Sequence, residues 1–218
     1  MRLIGILGGT FNPVHFGHLR MAQEITDALD LNEVRFIPAA NPPHKETPAV
    51  SAENRAEMVQ LAIADNQLFK LDTCELKRSG ASYTIDTLIS LRSEIDTDKN
   101  DRTALCLIMG SDAFVKFNTW HRWQEILDHC HIILVQRSIS STDKRALANE
   151  LAQLLQDHYT ENADDLNSQH AGFIHMQSIT ALSISSTAIR AAFKLKRTPL
   201  YLTPASVINY ITAHQLYV

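Results

Sequence analysis

Cysteine is scarce in this chain of 218 residues: Cys74, Cys106 and Cys130 lie far apart and form no CxxC pair. No disulfide scaffold or redox dithiol is expected, and two of the three sit in or beside apolar runs, where a free cysteine acts as a small hydrophobe. A reducing, cytoplasmic setting follows. Long apolar runs are missing as well. The first, Leu3 to Leu7, falls far short of the ~20 residues of a membrane span and flows into a glycine turn, so neither a signal peptide nor a membrane anchor is expected. Positive charge is not in excess. With a formal net charge of −4, no global field draws in nucleic acid, and an anionic ligand must be held by local features. HExxH, internal repeats and low-complexity tracts do not occur. Nor does GxGxxG, and the second apolar run ends in Phe36-Ile37-Pro38 without an acidic residue for a ribose, which argues against a dinucleotide-binding oxidoreductase.

What remains is 45% hydrophobic and 20% charged, an ordinary balance for a globular protein, in a length that suits one sizeable core. The expectation is a single domain over 1–218, with polar connections at Ser138–Thr142 and Thr160–His170 bounding an insertion-like segment, 137–171. Apolar patterning predicts strands over Leu3–Leu7, Glu33–Pro38, Phe69–Cys74, Ala104–Met109, His131–Val135 and Gly172–Met176. It predicts helices over Gly17–Leu29, Ala52–Ala64, Thr84–Ile95, Thr142–Asp157, Ser186–Phe193 and Pro204–His214, with an irregular pair across Ser111–Leu127. Ser51 reads as an N-cap, and Thr203 as a cap before Pro204 at the first helical position. Strand–helix alternation of this kind predicts an α/β, Rossmann-like, doubly wound fold: a mostly parallel sheet with helices on both faces and ligands at the carboxyl ends of its strands.

The first strand passes directly into Gly8-Gly9-Thr10-Phe11-Asn12-Pro13-Val14-His15-Phe16-Gly17-His18. Paired glycines let backbone approach a ligand, and the helix opening at Gly17 offers free N–H groups and a positive dipole end to an anion. His15 and His18, three apart, can both face that anion and neutralise charge that builds on a phosphate. A zinc pair is the alternative, but no third and fourth ligand accompanies it.

Ile184-Ser185-Ser186-Thr187-Ala188-Ile189-Arg190 is the second such helix start. One hydroxyl suffices for a cap; three in a row, with Arg190 one turn past Ser186, suit a phosphate. Two helix N-termini can then grip a triphosphate from two sides.

Together these stretches resemble the nucleotidyltransferase superfamily with an HxGH motif. Pro42-Pro43-His44-Lys45, Ser82-Tyr83-Thr84-Ile85-Asp86-Thr87-Leu88, Gly110-Ser111-Asp112 and Phe117-Asn118-Thr119-Trp120 make the chain similar, within it, to the bacterial nicotinate-nucleotide adenylyltransferases, from about residue 4 onward. It departs from them at Asn12, where aspartate is common, and at His121, where an aromatic often sits.

The resemblance implies transfer of the adenylyl group of ATP to nicotinate mononucleotide, giving nicotinate adenine dinucleotide and pyrophosphate, with Mg²⁺ carried by the ATP phosphates. It implies small-molecule substrates, no nucleic acid or membrane partner, and leaves a homodimer open. His15, His18, Lys45 and Arg190 would be catalytic. Gly8, Gly9, Thr10, Phe11, Gly17, Gly110, Asp112, Arg137, Ile184, Ser185, Ser186 and Thr187 would hold ATP, Gly110 by allowing close approach of the adenosine and Asp112 through its ribose. Asn41, His44, Tyr83, Thr84, Ile85, Trp120 and His121 would hold the mononucleotide: Thr84 with the N–H groups of Ile85 and His121 meets the nicotinate carboxylate, and Trp120 stacks on the ring. On composition alone, Pro42–Lys45 is a rigid surface loop, Thr84 a helix cap, and Trp120 and Trp123 core residues of one short helix, a reading retained for Trp123. The alternatives are another acceptor (nicotinamide mononucleotide or phosphopantetheine) and a non-catalytic nucleotide-binding protein.

Overall fold

The computed structural model describes residues 1–42, 48–95, 102–136 and 147–218. Each predicted strand is present in it: β1 (Arg2–Gly9), β2 (Glu33–Pro38), β3 (Phe69–Leu71), β4 (Thr103–Gly110), β5 (His131–Gln136) and β7 (Ile174–Ser178), with an unpredicted two-residue β6 (Tyr159–Thr160) before the last. They form one sheet in the order β3-β2-β1-β4-β5-β7-β6, every neighbouring pair parallel. Strands buried on both faces need apolar residues at every position, and β4 is buried from Thr103 through Met109.

The helices are α1 (Phe16–Leu29), α2 (Ala52–Ile63), α3 (Thr84–Ile95), α4 (Ser111–Phe114), α5 (Ile126–His129), α6 (Asn149–His158), α7 (Ser186–Lys194) and α8 (Ala205–Ala213). They cover both faces. Leu3 and Leu7 pack with Met21 and Ile25 of α1, Val59 of α2 and Ile211 of α8, whereas Ile4 and Ile6 pack with Leu88 of α3 and Ile126 of α5. The two-residue period of a strand thus sends successive side chains of β1 into opposite cores.

Several boundaries depart from the sequence expectation for local reasons. β3 stops at Leu71 because the Asp72 side chain accepts the Cys74 N–H at 2.9 Å, an Asx-type turn that competes with the ladder. The apolar stripe of α1 runs through Met21, Ala22, Ile25, Thr26 and Leu29, leaving Ala28 exposed. Helix α6 begins at Asn149; the earlier part of the predicted Thr142–Asp157 helix, like Ser138–Thr142, lies in 137–146, outside the described residues. Ser51 does cap α2, accepting the Asn54 N–H at 3.2 Å. Thr203 does not cap α8: Pro204 takes that place, and the Thr203 hydroxyl donates instead to Val14 O at 2.8 Å. Trp120 and Trp123 share no helix, because Trp120 is extended (φ −75°, ψ 147°) between short 3-10 turns at Phe117–Thr119 and Trp123–Glu125.

Candidate active site

Strand order reverses between β1 and β4, and the crevice at their carboxyl ends opens there. It holds a cavity of about 400 Å³. Gly8, Gly9 and His18 line it beside Gly110; Tyr83, Thr84, Trp120 and His121 line it on the far side, over a floor that includes Ile37, Leu88 and Glu75. Two clusters that are distant in sequence therefore face one volume.

The loop after β1 shapes the first wall. His15 is the N-cap of α1, and its buried ring stacks on that of His18, centroids 3.8 Å apart. The backbone N–H of His15 donates to Nδ1 of His18 at 3.3 Å. A neutral imidazole whose Nδ1 accepts carries its proton on Nε2, so His18 holds a donor. His18 reaches the cavity and His15 stands behind it. Gly17 leaves room for this stacking: a Cβ there would lie 3.0 Å from Cε1 and Nδ1 of His15, so the ring would have to give by a few tenths of an ångström. Phe11 has φ 47° in the left-handed region and buries its ring edge-on against His18, centroids 5.1 Å apart.

The three hydroxyls at the start of α7 have three different employments. Ser185 caps the helix by accepting the Ala188 N–H at 3.2 Å. Ser186 donates to Pro13 O at 2.8 Å, and Thr187 Oγ1 accepts from Arg190 Nη2 at 3.3 Å. Arg190 Nη1 donates to Asn12 O at 2.8 Å. The geometry thus brings α7, with Ile184 just ahead of it, against the glycine–histidine loop, and Ser186 and Arg190 bind that loop's carbonyls.

On the far wall, the Tyr83 ring lies against His121, centroids 4.3 Å apart, and Trp120 packs edge-on against Phe117 of the core. Trp123 also packs on Phe117, in keeping with a core role. Thr84 and Ile85 open α3, and the backbone N–H groups of a first helical turn lack intrahelical acceptors. Asp112 is exposed in the first turn of α4, next to Gly110. Asn41 is engaged with the neighbouring loop: its side-chain amide donates to Gly80 O at 3.0 Å, and its backbone exchanges bonds with Ser82. His44, Lys45 and Arg137 lie outside the described residues.

Three contributors were not picked out from the sequence. Arg55 of α2 is 1% exposed and donates to Thr10 O at 2.7 Å, Ala40 O at 3.3 Å and Val50 O at 3.3 Å, joining the loops that follow β1 and β2; burial lowers its pKa. Tyr217 donates to Asn12 Oδ1 at 2.6 Å. Glu75, on the cavity floor, accepts from the Thr87 hydroxyl at 2.7 Å, and burial pushes its carboxyl above the ordinary range. A buried acid within a polar cluster carries no spacing signal; the ELKR run in which Glu75 sits reads as an ordinary charged turn.

A glycine loop, a histidine donor at one helix start and a second, hydroxyl-rich helix start packed on that loop, at a parallel-sheet switch point, are equipment that suits a nucleotidyltransferase, and the cytidylyltransferase-like family model matches residues 6–192. The class is that of the cytidylyltransferase-like nucleotidyltransferases. Over 217 residues the chain is 43% identical to a Pseudomonas putida (strain W619) protein named "Probable nicotinate-nucleotide adenylyltransferase", covering 100% of this chain and 95% of that one. A Hydrogenovibrio crunogenus protein of the same name is 44% identical over 217 residues, with 99% and 98% covered. The chain belongs to the nicotinate-nucleotide adenylyltransferase family. Its fold is shared with the Plasmodium falciparum nicotinic acid mononucleotide adenylyltransferase complexed with APC, at a TM-score of 0.69 and 16% identity over 100% of this chain and 98% of that one.

Proposed function

We propose that the chain transfers the adenylyl group of ATP to the 5′-phosphate of nicotinate mononucleotide in NAD biosynthesis. The observation that carries the reading is a single cavity walled by the glycine–histidine loop on one side and by Tyr83, Thr84, Trp120 and His121 on the other. An oxygen of the mononucleotide phosphate attacks the α-phosphorus of ATP, the bond from that phosphorus to the β-phosphate oxygen breaks, and pyrophosphate leaves with the electron pair. The nucleophile is already anionic at neutral pH, so the protein's work is positioning and charge stabilisation. His18 Nε2–H is suited to donate to a phosphate oxygen as charge develops. The N–H groups that open α1 and α7 add their dipole ends. On the acceptor side, Trp120 offers a face to the pyridine ring, and the start of α3 offers N–H groups to its carboxylate without a cationic side chain.

Mg²⁺ belongs to the substrate in this reading, as MgATP. Among the described residues no three His, Cys, Asp or Glu gather around a point that could hold a metal ion, and no step is assigned to it. No helix among the described residues is long and apolar enough to cross a membrane.

The test is pyrophosphate release with ATP and, in turn, nicotinate mononucleotide, nicotinamide mononucleotide and phosphopantetheine. Hydrogen bonds to a charged acceptor contribute about 1.5–3 kcal/mol each, so one or two lost bonds predict a preference for the acid of order 10–10⁴ over the amide. Equal rates with the two mononucleotides overturn the pocket assignment; turnover only with phosphopantetheine overturns the substrate.

A further inference from the structure

We propose that Tyr217, which lies outside the cavity, is a positioning residue for adenylyl transfer: through Asn12 it sets the placement of the loop between β1 and α1 against α7. The proposal rests on the adenylyl-transfer reading. Tyr217 follows α8, and its hydroxyl donates to Asn12 Oδ1 at 2.6 Å across 205 positions of sequence. Its ring lies against Phe193 of α7, centroids 6.3 Å apart. One side chain therefore touches both the loop that leads into α1 and the helix α7 that packs against that loop. Its backbone has φ 67°, a left-handed conformation that an aromatic residue adopts at a cost in strain, so the surrounding contacts must hold it there. Burial raises the pKa of the phenol, with the Arg55 and Arg190 guanidiniums close enough to oppose that shift, so the group is a neutral donor throughout the working range.

Asn12 is the point on which these bonds converge. Its carbonyl takes Arg190 Nη1 at 2.8 Å, its side-chain oxygen takes Tyr217, and the chain on either side is held two residues earlier at Thr10 O by Arg55 and at the following Pro13 O by Ser186. Ser186 and Arg190 belong to the α7 start to which the adenylyl-transfer reading assigns the phosphates; Tyr217 belongs to neither helix start and has no part in the cavity lining. Loss of its hydroxyl frees the Asn12 side chain and loosens the loop that carries His15 and His18 relative to α7. A displacement near 1 Å can cost about 10²-fold in rate, so a shift of a few tenths of an ångström predicts roughly a tenfold fall in kcat.

The structure supplies a matched control. Tyr210 of α8 also donates its hydroxyl to an asparagine Oδ1, that of Asn54, at 2.8 Å and away from the loop. Tyr217→Phe and Tyr210→Phe delete the same kind of bond from the same kind of side chain; the Tyr217 phenol is the more deeply buried, so the melting midpoint of each variant is measured beside its kcat. Steady-state pyrophosphate release is measured for the unsubstituted chain, both variants, Asn12→Ala and Asn12→Ala/Tyr217→Phe, well below every melting midpoint. Expected are kcat down about tenfold in Tyr217→Phe with KM for nicotinate mononucleotide within twofold, kcat within twofold in Tyr210→Phe, and a double variant no slower than Asn12→Ala. Equal kcat in the two Tyr→Phe variants overturns the proposal, as does a double variant whose losses multiply. If the unsubstituted chain releases no pyrophosphate with any acceptor, the functional reading fails, and Tyr217 is judged by ATP affinity. A several-fold weakening in Tyr217→Phe but not in Tyr210→Phe then supports it, and equal affinities overturn it.

Discussion

Replacing Arg55 with methionine keeps a long side chain in place and removes the guanidinium that ties the loops after β1 and β2 together. Three bonds are lost, to Thr10 O at 2.7 Å and to Ala40 O and Val50 O at 3.3 Å, from a residue 1% exposed. A bond from a charged donor contributes about 1.5–3 kcal/mol, and a buried carbonyl left without a donor costs about 1–3 kcal/mol. Only the Thr10 bond is at full strength by length, so the gross loss is about 4–6 kcal/mol. Part of it is recovered, because burying a guanidinium has its own desolvation cost. The expected net loss is about 2–4 kcal/mol, which in a chain of this size lowers the melting midpoint by roughly 5–15 °C. Activity should fall further than stability explains. Thr10 follows Gly9, and Ala40 follows Ala39, and both Gly9 and Ala39 line the cavity, so the two loops that border it lose their common tether. Thermal unfolding followed by circular dichroism, with pyrophosphate release measured well below the midpoint, reads both effects. We expect kcat down at least tenfold in Arg55→Met and partly restored in Arg55→Lys, which can reach one carbonyl. A midpoint within 2 °C of the unsubstituted chain refutes the energetic argument. A lowered midpoint with unchanged kcat refutes the tether.

His18→Ala removes the donor that reaches the cavity and should lower kcat by roughly 10²–10³, as loss of one transition-state donor does; near-normal turnover would sink that role. Gly17→Ala places a Cβ 3.0 Å from the His15 ring and should lower kcat severalfold by pushing the stacked His15–His18 pair a few tenths of an ångström, while the melting midpoint moves little; unchanged kinetics would show that the pair yields freely. His131 predicts acid sensitivity. Burial lowers its pKa from 6.5 to about 4, and its Nδ1 accepts the Phe173 N–H at 3.1 Å, an arrangement that protonation would destroy. The unfolded chain then binds a proton that the folded chain refuses, so stability is intact above pH 6.5 and falls as pH drops toward 4, by about 3 kcal/mol at most for this group. Urea denaturation across that range should show a shallower pH dependence in His131→Asn, and parallel curves for the two proteins would refute the assignment.

The sequence by itself determined the elements and the chemistry at their ends. Apolar runs of strand length, the helical stripe of α1 and the cap at Ser51 are local patterns, and a side chain's period or a cap's hydrogen bond is set within a few residues. The glycine–histidine turn and the hydroxyl-rich start of α7 were legible for the same reason, whereas the Tyr83–Thr84 and Trp120–His121 pairs were marked only by the family resemblance. The strand order, the short β6, the early stop of β3 and the extended Trp120 were not legible. Each depends on what lies alongside rather than on what comes next.

The tertiary structure alone decided how the motif loop is held. Arg55, Ser186, Arg190 and Thr203 reach across the chain to backbone carbonyls of residues 10 to 14, and Tyr217 to the side chain of Asn12. Every residue has a carbonyl, so a bond to one leaves no mark on the identity of its acceptor, and a sequence pattern cannot point to it. The residues that could bind phosphate were written into the motifs; the bonds that hold them at a common distance from one cavity exist only in the folded chain.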